Sequence, residues 1–283
     1  MSTSANPSND VLREWRESAV FWRKYYPTIR AMFAPVTDAL IQEARITEGD
    51  TVLDLAGGSG EPSLTIAEFV KGTGSVTCTD AIAEMVAAAK EEAERRGLLN
   101  IEFHQCLADS LPFEKNKFDT TVCRLGVMFF PDVLAALREM VRVTKPEGTV
   151  VFVVWSGAEV NPFMYIVTNV LSRYVESAPV SPDEPGAFRF AEPGKLAAIL
   201  REAGAVQVRE QQLNFRMEAP LSPEQFWEFR SQTSGTLRTK LRSLPREQAR
   251  AIGLEVIDAA EEFFPNGQMS FPAQMLIVSG EVR

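Results

Sequence analysis

Apolar residues recur at helical intervals through residues 11–45, where Leu12, Trp15, Ala19 and Trp22 are followed by Ile29, Phe33, Val36, Leu40 and Ile41. Pro27 and Pro35 interrupt the run, so it predicts two or three helical pieces. The pattern then tightens. Residues 51–56 form a compact apolar run closed by Gly57-Gly58-Ser59-Gly60, which predicts a buried strand and a tight turn. Pro62 suits the first turn of a helix over Ser63–Val70, stopped by Gly72. The same order repeats: residues 75–79 predict a second strand ending at Asp80. A helix over 82–96 follows and stops at Gly97, with Arg95 and Arg96 complementing its dipole. Residues 101–106 and 118–123 predict a third and a fourth strand, separated by a loop containing Leu111-Pro112-Phe113. Asp132 caps a helix over 133–143, and Lys145-Pro146-Glu147-Gly148 delivers a fifth strand over 149–155.

Strand and helix alternating over this length predict a parallel sheet with helices on both faces, because each parallel crossover is right-handed and passes over a sheet face. The rest is less regular. It predicts a helix at 162–176, a Pro-rich turn at 179–186, a helix at 193–203 ended by Gly204 and a strand at 205–217. Helices at 223–241 and 246–264 follow, and a strand over 269–282 closes the chain. The expected organisation is an N-terminal cap segment (1–45), a cofactor-binding core (46–155), a cap insertion (156–186), a return to the core (187–217), cap helices (218–266) and a final core strand (267–283).

Charge narrows the choice of partner. Of 283 residues, 29 are Lys or Arg and 38 are Asp or Glu, a formal charge of −9 that repels phosphate backbones and disfavours nucleic acid. The longest uncharged apolar stretches are too short to cross a bilayer, and residues 1–10 lack the basic start and apolar segment of a secretory signal. A cytoplasmic location is expected, and a homodimer is left open. Cys78, Cys106 and Cys123 form no doublet, so they read as reduced thiols rather than as metal ligands or a redox pair. No metal is expected.

The candidate chemistry sits at the first strand end. In an open parallel sheet the ligand crevice lies beyond the carboxyl ends of the strands, and Gly57–Gly60 occupies that place. Asp54 precedes the turn. Asp80 ends the second strand, where a carboxylate can accept both hydroxyls of a ribose. Dinucleotides and adenosyl cofactors both satisfy that much. A dinucleotide fingerprint, however, wants a glycine where Ser63 stands and an anion site free of the carboxylate of Glu61. A cofactor carrying sulfonium and ammonium charges tolerates Asp54 and Glu61, so the charge pattern favours S-adenosylmethionine.

The segment Val52-Leu53-Asp54-Leu55-Ala56-Gly57-Gly58-Ser59-Gly60 resembles the first motif of class I S-adenosylmethionine-dependent methyltransferases, with Ala56 where the first glycine usually stands. Within them it is similar to the branch of ubiquinone and menaquinone C-methyltransferases and many natural-product enzymes. The resemblance covers residues 45–155 well, and 190–216 and the last strand more loosely. It implies a Rossmann-like, doubly wound α/β sheet of seven strands with the last strand antiparallel, plus the helical cap. Asp80 and Ala81 match the ribose-binding position, and Met85 stands where an adenine-packing side chain is common. Leu107, Ala108 and Asp109 resemble the loop along the adenine edge, with Leu107 replacing the usual acidic residue. Arg124, in Cys123-Arg124-Leu125-Gly126, sits where the quinone branch contacts the cofactor. Phe130-Pro131-Asp132 and the turn at Lys145–Gly148 complete the match.

Methyl transfer from a sulfonium requires alignment and exclusion of water more than any one catalytic group, so no catalytic residue is assigned. The single histidine, His104, lies inside the third predicted strand and reads as structural. If a base is used, Glu159, Tyr165 and Arg189 are the candidates. Trp22, Tyr26, Trp155, Tyr165 and Arg189 are candidate acceptor-site residues, and Trp15 and Tyr25 are further candidates to cover the cofactor. An aromatic-rich cap points to a small hydrophobic or aromatic methyl acceptor, a secondary metabolite or a quinone-like molecule. Two alternatives are an RNA methyltransferase, disfavoured by the net charge, and a degenerate cofactor-binding protein without turnover. Arg238, Lys240, Arg242, Arg246 and Arg250 form the one basic stretch that could meet an acidic partner.

Overall fold

Thr51–Leu55 (β1), Ser75–Asp80 (β2), Ile101–Gln105 (β3), Phe118–Arg124 (β4), Thr144–Trp155 (β5), Val206–Ala219 (β6) and Met269–Glu281 (β7) hydrogen-bond into one sheet. The computed structural model describes residues 7–176 and 181–283, so the start of the Pro-rich turn expected at 179–186 and most of the N-terminal ten residues lie outside the described residues. The strand order is β3-β2-β1-β4-β5-β7-β6. β1 to β5 pair in parallel, and β7 runs antiparallel to both β5 and β6. Only the final strand is reversed, as expected from the sequence.

Val150, Val151, Phe152, Val153 and Val154 of β5 are completely buried. With each aliphatic side chain worth about 1.5–3 kcal/mol when removed from water, this strand anchors the core. The connections are helical: Ser63–Val70 (α3) joins β1 to β2, Ala83–Arg96 (α4) joins β2 to β3, and Val133–Val143 (α5) joins β4 to β5. Asp132 caps α5, its carboxylate accepting from Ala135 N at 2.9 Å, and Gly97 ends α4 in the left-handed conformation. Lys195–Glu202 (α7) packs against α5, β6 and β7.

Two helices precede the sheet, Pro7–Lys24 (α1) and Tyr26–Glu43 (α2). α2 runs straight through Pro35. Its buried face, Met32, Phe33, Val36, Leu40 and Ile41, packs on β4 to β7, and that burial outweighs one lost backbone hydrogen bond. α1 instead packs on α4 and on Pro223–Thr233 (α8) and Gly235–Arg242 (α9), while Pro162–Ser172 (α6) and Arg246–Ala260 (α10) pack on each other and α10 on α8. The single helix expected over 223–241 is two, because Ser234 leaves the helical conformation and its hydroxyl caps α9 at Leu237 N. The basic stretch is split as well. Arg238 points inward, donating to Gln232 O and Ser18 Oγ over the ring of Phe21.

Candidate functional site

β1 lies between β2 and β4, so the chain leaves β1 in one direction along the sheet and returns to its other side at β4. A crevice opens at such a reversal of strand order. Here it is a cavity of about 390 Å³. The turn after β1, the loops after β2 and β3, and Arg124–Gly126 after β4 form its floor. Leu12, Trp15 and Trp22 of α1, Phe33 of α2, and Phe129 and Phe130 form the opposite wall. Trp15 packs edge-on against both Trp22 and Phe129, at 5.5 and 5.1 Å between centroids.

The turn is shaped by close approach. A Cβ on Gly57 would stand 2.7 Å from Cys78 Sγ and 2.8 Å from Asp54 Oδ2, whereas one on Gly58 (φ 56°) would meet no protein atom. Gly57 therefore serves packing beneath the turn, and Gly58 leaves its cavity side bare. Ala56 adopts φ 54° and Leu125, at the end of β4, φ 61°. Both are left-handed non-glycine residues bordering the cavity, the kind of local strain that gathers at functional sites. Ala56 is accommodated by Gly126, whose Cβ would lie 2.5 Å from the methyl of Ala56.

Three carboxylates surround the turn in three different states. Asp80 spans its mouth: Oδ2 accepts from Gly58 N at 3.0 Å and Oδ1 from Ile82 N at 2.9 Å. Burial pushes its pKa up to about 6, against the pull of those backbone donors. Each oxygen keeps a lone pair for a further donor. Asp54 lies fully buried under the turn, pushed up to about 7 by burial although Ser63 Oγ donates to its Oδ2 at 2.5 Å and Arg124 is near. Its Oδ1 has no hydrogen-bond partner. Glu61 differs from the expectation. Its carboxylate is tied up by Arg96 Nη2 at 2.8 Å, Tyr26 Oη at 2.5 Å and Thr65 Oγ1 at 2.7 Å, so its charge is matched within the protein and does not by itself select against phosphate.

What disfavours a pyrophosphate is the buried carboxylate of Asp54, which accepts from Ser63 Oγ at the first turn of α3 and places an acid at the helix end where an anion would otherwise be welcomed. An orphaned, buried carboxylate oxygen, a free glycine face and a ribose-type carboxylate one strand over fit an adenosyl cation. The residues present therefore suit S-adenosylmethionine.

A pH dependence follows. Asp54 and Asp80 both have folded pKa values above 3.8, so the folded ligand-free protein holds protons that the unfolded chain releases. Their contribution to stability is full below about pH 4 and is lost as pH rises through about 6 and 7. The melting midpoint of the ligand-free protein is expected to fall by a few degrees between pH 5.5 and 8. Affinity for S-adenosylhomocysteine should change the opposite way, rising about tenfold over the same interval as both groups ionise. Calorimetry across this range, with Asp54→Asn as the control that flattens the profile near pH 7, checks it.

Of the residues singled out in the sequence, Ala56, Gly57, Gly58, Ser59, Asp80, Ala81, Met85, Leu107, Ala108, Asp109 and Arg124 border this one cavity, with Trp22 and Tyr26. Asp54 and Gly60 stand behind the turn, a Cβ on Gly60 meeting Leu64 at 2.7 Å. Arg124 is a clamp, donating from Nη1 to Thr37 Oγ1 at 2.7 Å and from Nη2 to Glu61 O at 2.9 Å. Trp155, Tyr165 and Arg189 lie outside the lining. Trp155 packs edge-on against Phe33, Tyr165 is half-buried on α6, and Arg189 Nη1 donates to Phe130 O at 2.6 Å. Glu159 is exposed, and His104 packs edge-on against Phe113 on β3. Phe33, Phe129 and Leu125 are additions. Phe33 was read as helix core, and the short turn Val127–Phe129 that presents Phe129 has no periodic signal.

Comparison with known proteins agrees with this geometry. Residues 36–176 match the model of the ubiE/COQ5 methyltransferase family. The matched segment contains β1, the glycine turn, Asp80 and Arg124. A ubiquinone/menaquinone biosynthesis C-methyltransferase UbiE of Stenotrophomonas maltophilia is 36% identical over 149 residues, 52% of this chain and 53% of the relative. An uncharacterized protein of Mycobacterium tuberculosis is 38% identical over 125 residues, 44% of each chain. The chain thus spans about half the length of the curated relatives it matches. The crystal structure of the YcgJ protein from Bacillus subtilis superposes with a TM-score of 0.55 at 22% identity, covering 87% of this chain and 97% of that one, which establishes the fold. No helix among the described residues is long and apolar enough to cross a membrane, and they contain no cluster of metal-binding side chains.

Proposed function

We propose that this protein is an S-adenosylmethionine-dependent methyltransferase acting on a small, mostly apolar or aromatic molecule, as the ubiE/COQ5 resemblance suggests. The observation that carries the reading is a ribose-type carboxylate, Asp80, on one wall of a cavity whose other wall is Trp15, Trp22, Phe33 and Phe129. When bound, S-adenosylmethionine supplies an electrophilic methyl on a sulfonium, transferred in line to a nucleophilic atom of the acceptor. Asp80 would accept from the ribose hydroxyls, and Asp54, buried beneath the turn, would favour the positively charged end. Met85 and Ile82 offer the adenine an apolar bed, with Leu107 and Ala108 along its edge. The aromatic wall excludes water and aligns the acceptor. His104 stands outside the cavity, so proximity rather than a histidine base carries this mechanism.

The test is transfer of tritium from methyl-labelled S-adenosylmethionine into an organic-solvent extract of small metabolites. Label is expected in an apolar product. Folded protein that binds S-adenosylhomocysteine yet labels nothing in repeated extracts would support the non-enzymatic alternative, and label found in RNA would redirect the acceptor assignment.

A further inference from the structure

β6 ends the sheet and is hydrogen-bonded on one side only, to β7. It is 14 residues long, against roughly five or six for a typical strand. Its one irregularity lies between Val206 and Arg209, and from Arg209 to Ala219 the register is unbroken. An edge of this kind presents a row of unpaired backbone N–H and C=O groups, which proteins blunt with proline, lysine, a bulge or a covering segment. Residues 209–219 contain neither proline nor lysine. Among the described residues, none outside β7 makes a backbone–backbone hydrogen bond to residues 209–218. The opposite edge is different, since β3 has only 5 residues.

Side chains of β6 alternate between two faces. On one, Gln211 Nε2 donates to Glu43 of α2, and Leu213 and Phe215 are half-buried. On the other, Glu210 accepts from Gly194 N, just ahead of α7, at 2.9 and 3.0 Å, Asn214 accepts from Gln274, and Arg216 donates to Ser270 Oγ at 2.7 Å. Glu210 and Arg216 are therefore held by uncharged groups.

A second copy related by a two-fold axis normal to the sheet would add its own β6 antiparallel to this one, each residue facing a partner on the same face. With the axis at Leu213, Glu210 lies opposite the partner's Arg216 and Arg216 opposite the partner's Glu210, with Gln212 and Asn214 facing each other between them. On the α2 face Leu213 meets the partner's Leu213, and the partner's Phe215 is its diagonal neighbour, so four half-buried apolar side chains close over the axis. Neighbouring registers lose this match. An axis at Gln212 sets Glu210 against Asn214, and one at Asn214 sets Glu210 against Glu218.

We propose that the free edge of β6 docks a second copy of this chain about a two-fold axis at Leu213, joining the two sheets into one. The cofactor cavity lies at the ends of β1 to β4, so the inference stands apart from the methyltransferase reading.

Sedimentation velocity on the full-length protein at micromolar concentration is expected to give the mass of two chains. Arg216→Glu or Glu210→Arg sets like charges opposite one another twice per dimer and should weaken association by about tenfold or more, and combining the two substitutions should restore it. Disulfide trapping reads the register. Directly opposite residues have α-carbons about 4.5–5.5 Å apart, within disulfide range, so Leu213→Cys should yield a covalent dimer with diamide as oxidant. Gln211→Cys, on the same face but opposite the partner's Phe215, should yield none, as should the wild type with its native Cys78, Cys106 and Cys123. A monomer at every concentration, a dimer that both single charge reversals leave intact, or a dimer that Leu213→Cys fails to trap would overturn the assignment. Affinity for S-adenosylhomocysteine should be the same in all these variants, which keeps a failure here distinct from a failure of the cofactor reading.

Discussion

Asp80→Ala is expected to weaken binding of S-adenosylhomocysteine by two to three orders of magnitude. The carboxylate accepts from Gly58 N and Ile82 N, and in the proposed complex it also takes two ribose hydroxyls. Hydrogen bonds to a charged group are worth about 1.5–3 kcal/mol each, so losing two removes about 3–6 kcal/mol, less whatever water restores. The substitution also frees the Gly58 amide that shapes the turn. Asp80→Asn keeps one acceptor oxygen and should lose less. Calorimetry measures both, with near-ultraviolet circular dichroism as the check on folding; an alanine variant binding within threefold of wild type would refute the ribose role.

The second large effect is on stability. Glu61 and Arg96 form an ion pair at 2.8 Å with side chains only 4% and 7% exposed, and the Tyr26 hydroxyl contacts both partners. Arg96 also reaches Glu92 and Glu68, so one guanidinium ties α4 to the glycine turn and, through Tyr26, to α2. Arg96→Met leaves the buried Glu61 carboxylate with only the half-exposed Arg30, whose Nε lies 3.5 Å away, a loss of up to about 3–5 kcal/mol. At about 2–4 °C per kcal/mol for a chain of this size, the melting midpoint should fall by roughly 6–20 °C. Its neighbour supplies the contrast. Arg95 is 68% exposed and pairs with Glu92 at the surface, so Arg95→Met should leave the melting midpoint nearly unchanged. Equal melting midpoints for the two variants would show that the Glu61 network is not a stabilising clamp.

Much of the cofactor side was legible along the chain because it is built from strand ends. A period of alternation places β1 and β2, and whatever follows their last residue faces the crevice, which is how Gly57, Gly58 and Asp80 were found. The acceptor side is not built that way. Phe33 and Trp22 sit on helices with ordinary core spacing, and only the packing of α1 and α2 turns them toward the cavity. Trp155 shows the converse: a strand-end aromatic that Phe33 separates from the space it was expected to line.

By itself the sequence determined the alternation of strands and helices, the glycine turn, the carboxylate of Asp80 at the end of β2 and, through the resemblance those residues carry, the order of the sheet, because the local elements depend on residues close together in the chain. The tertiary structure alone decided that Arg96 pairs with Glu61 and that α2 passes unbroken through Pro35 while packing on β4 to β7. Those outcomes are set by contacts between segments dozens or hundreds of residues apart, where the free energy depends on which buried charge meets which partner, and no local pattern encodes that meeting.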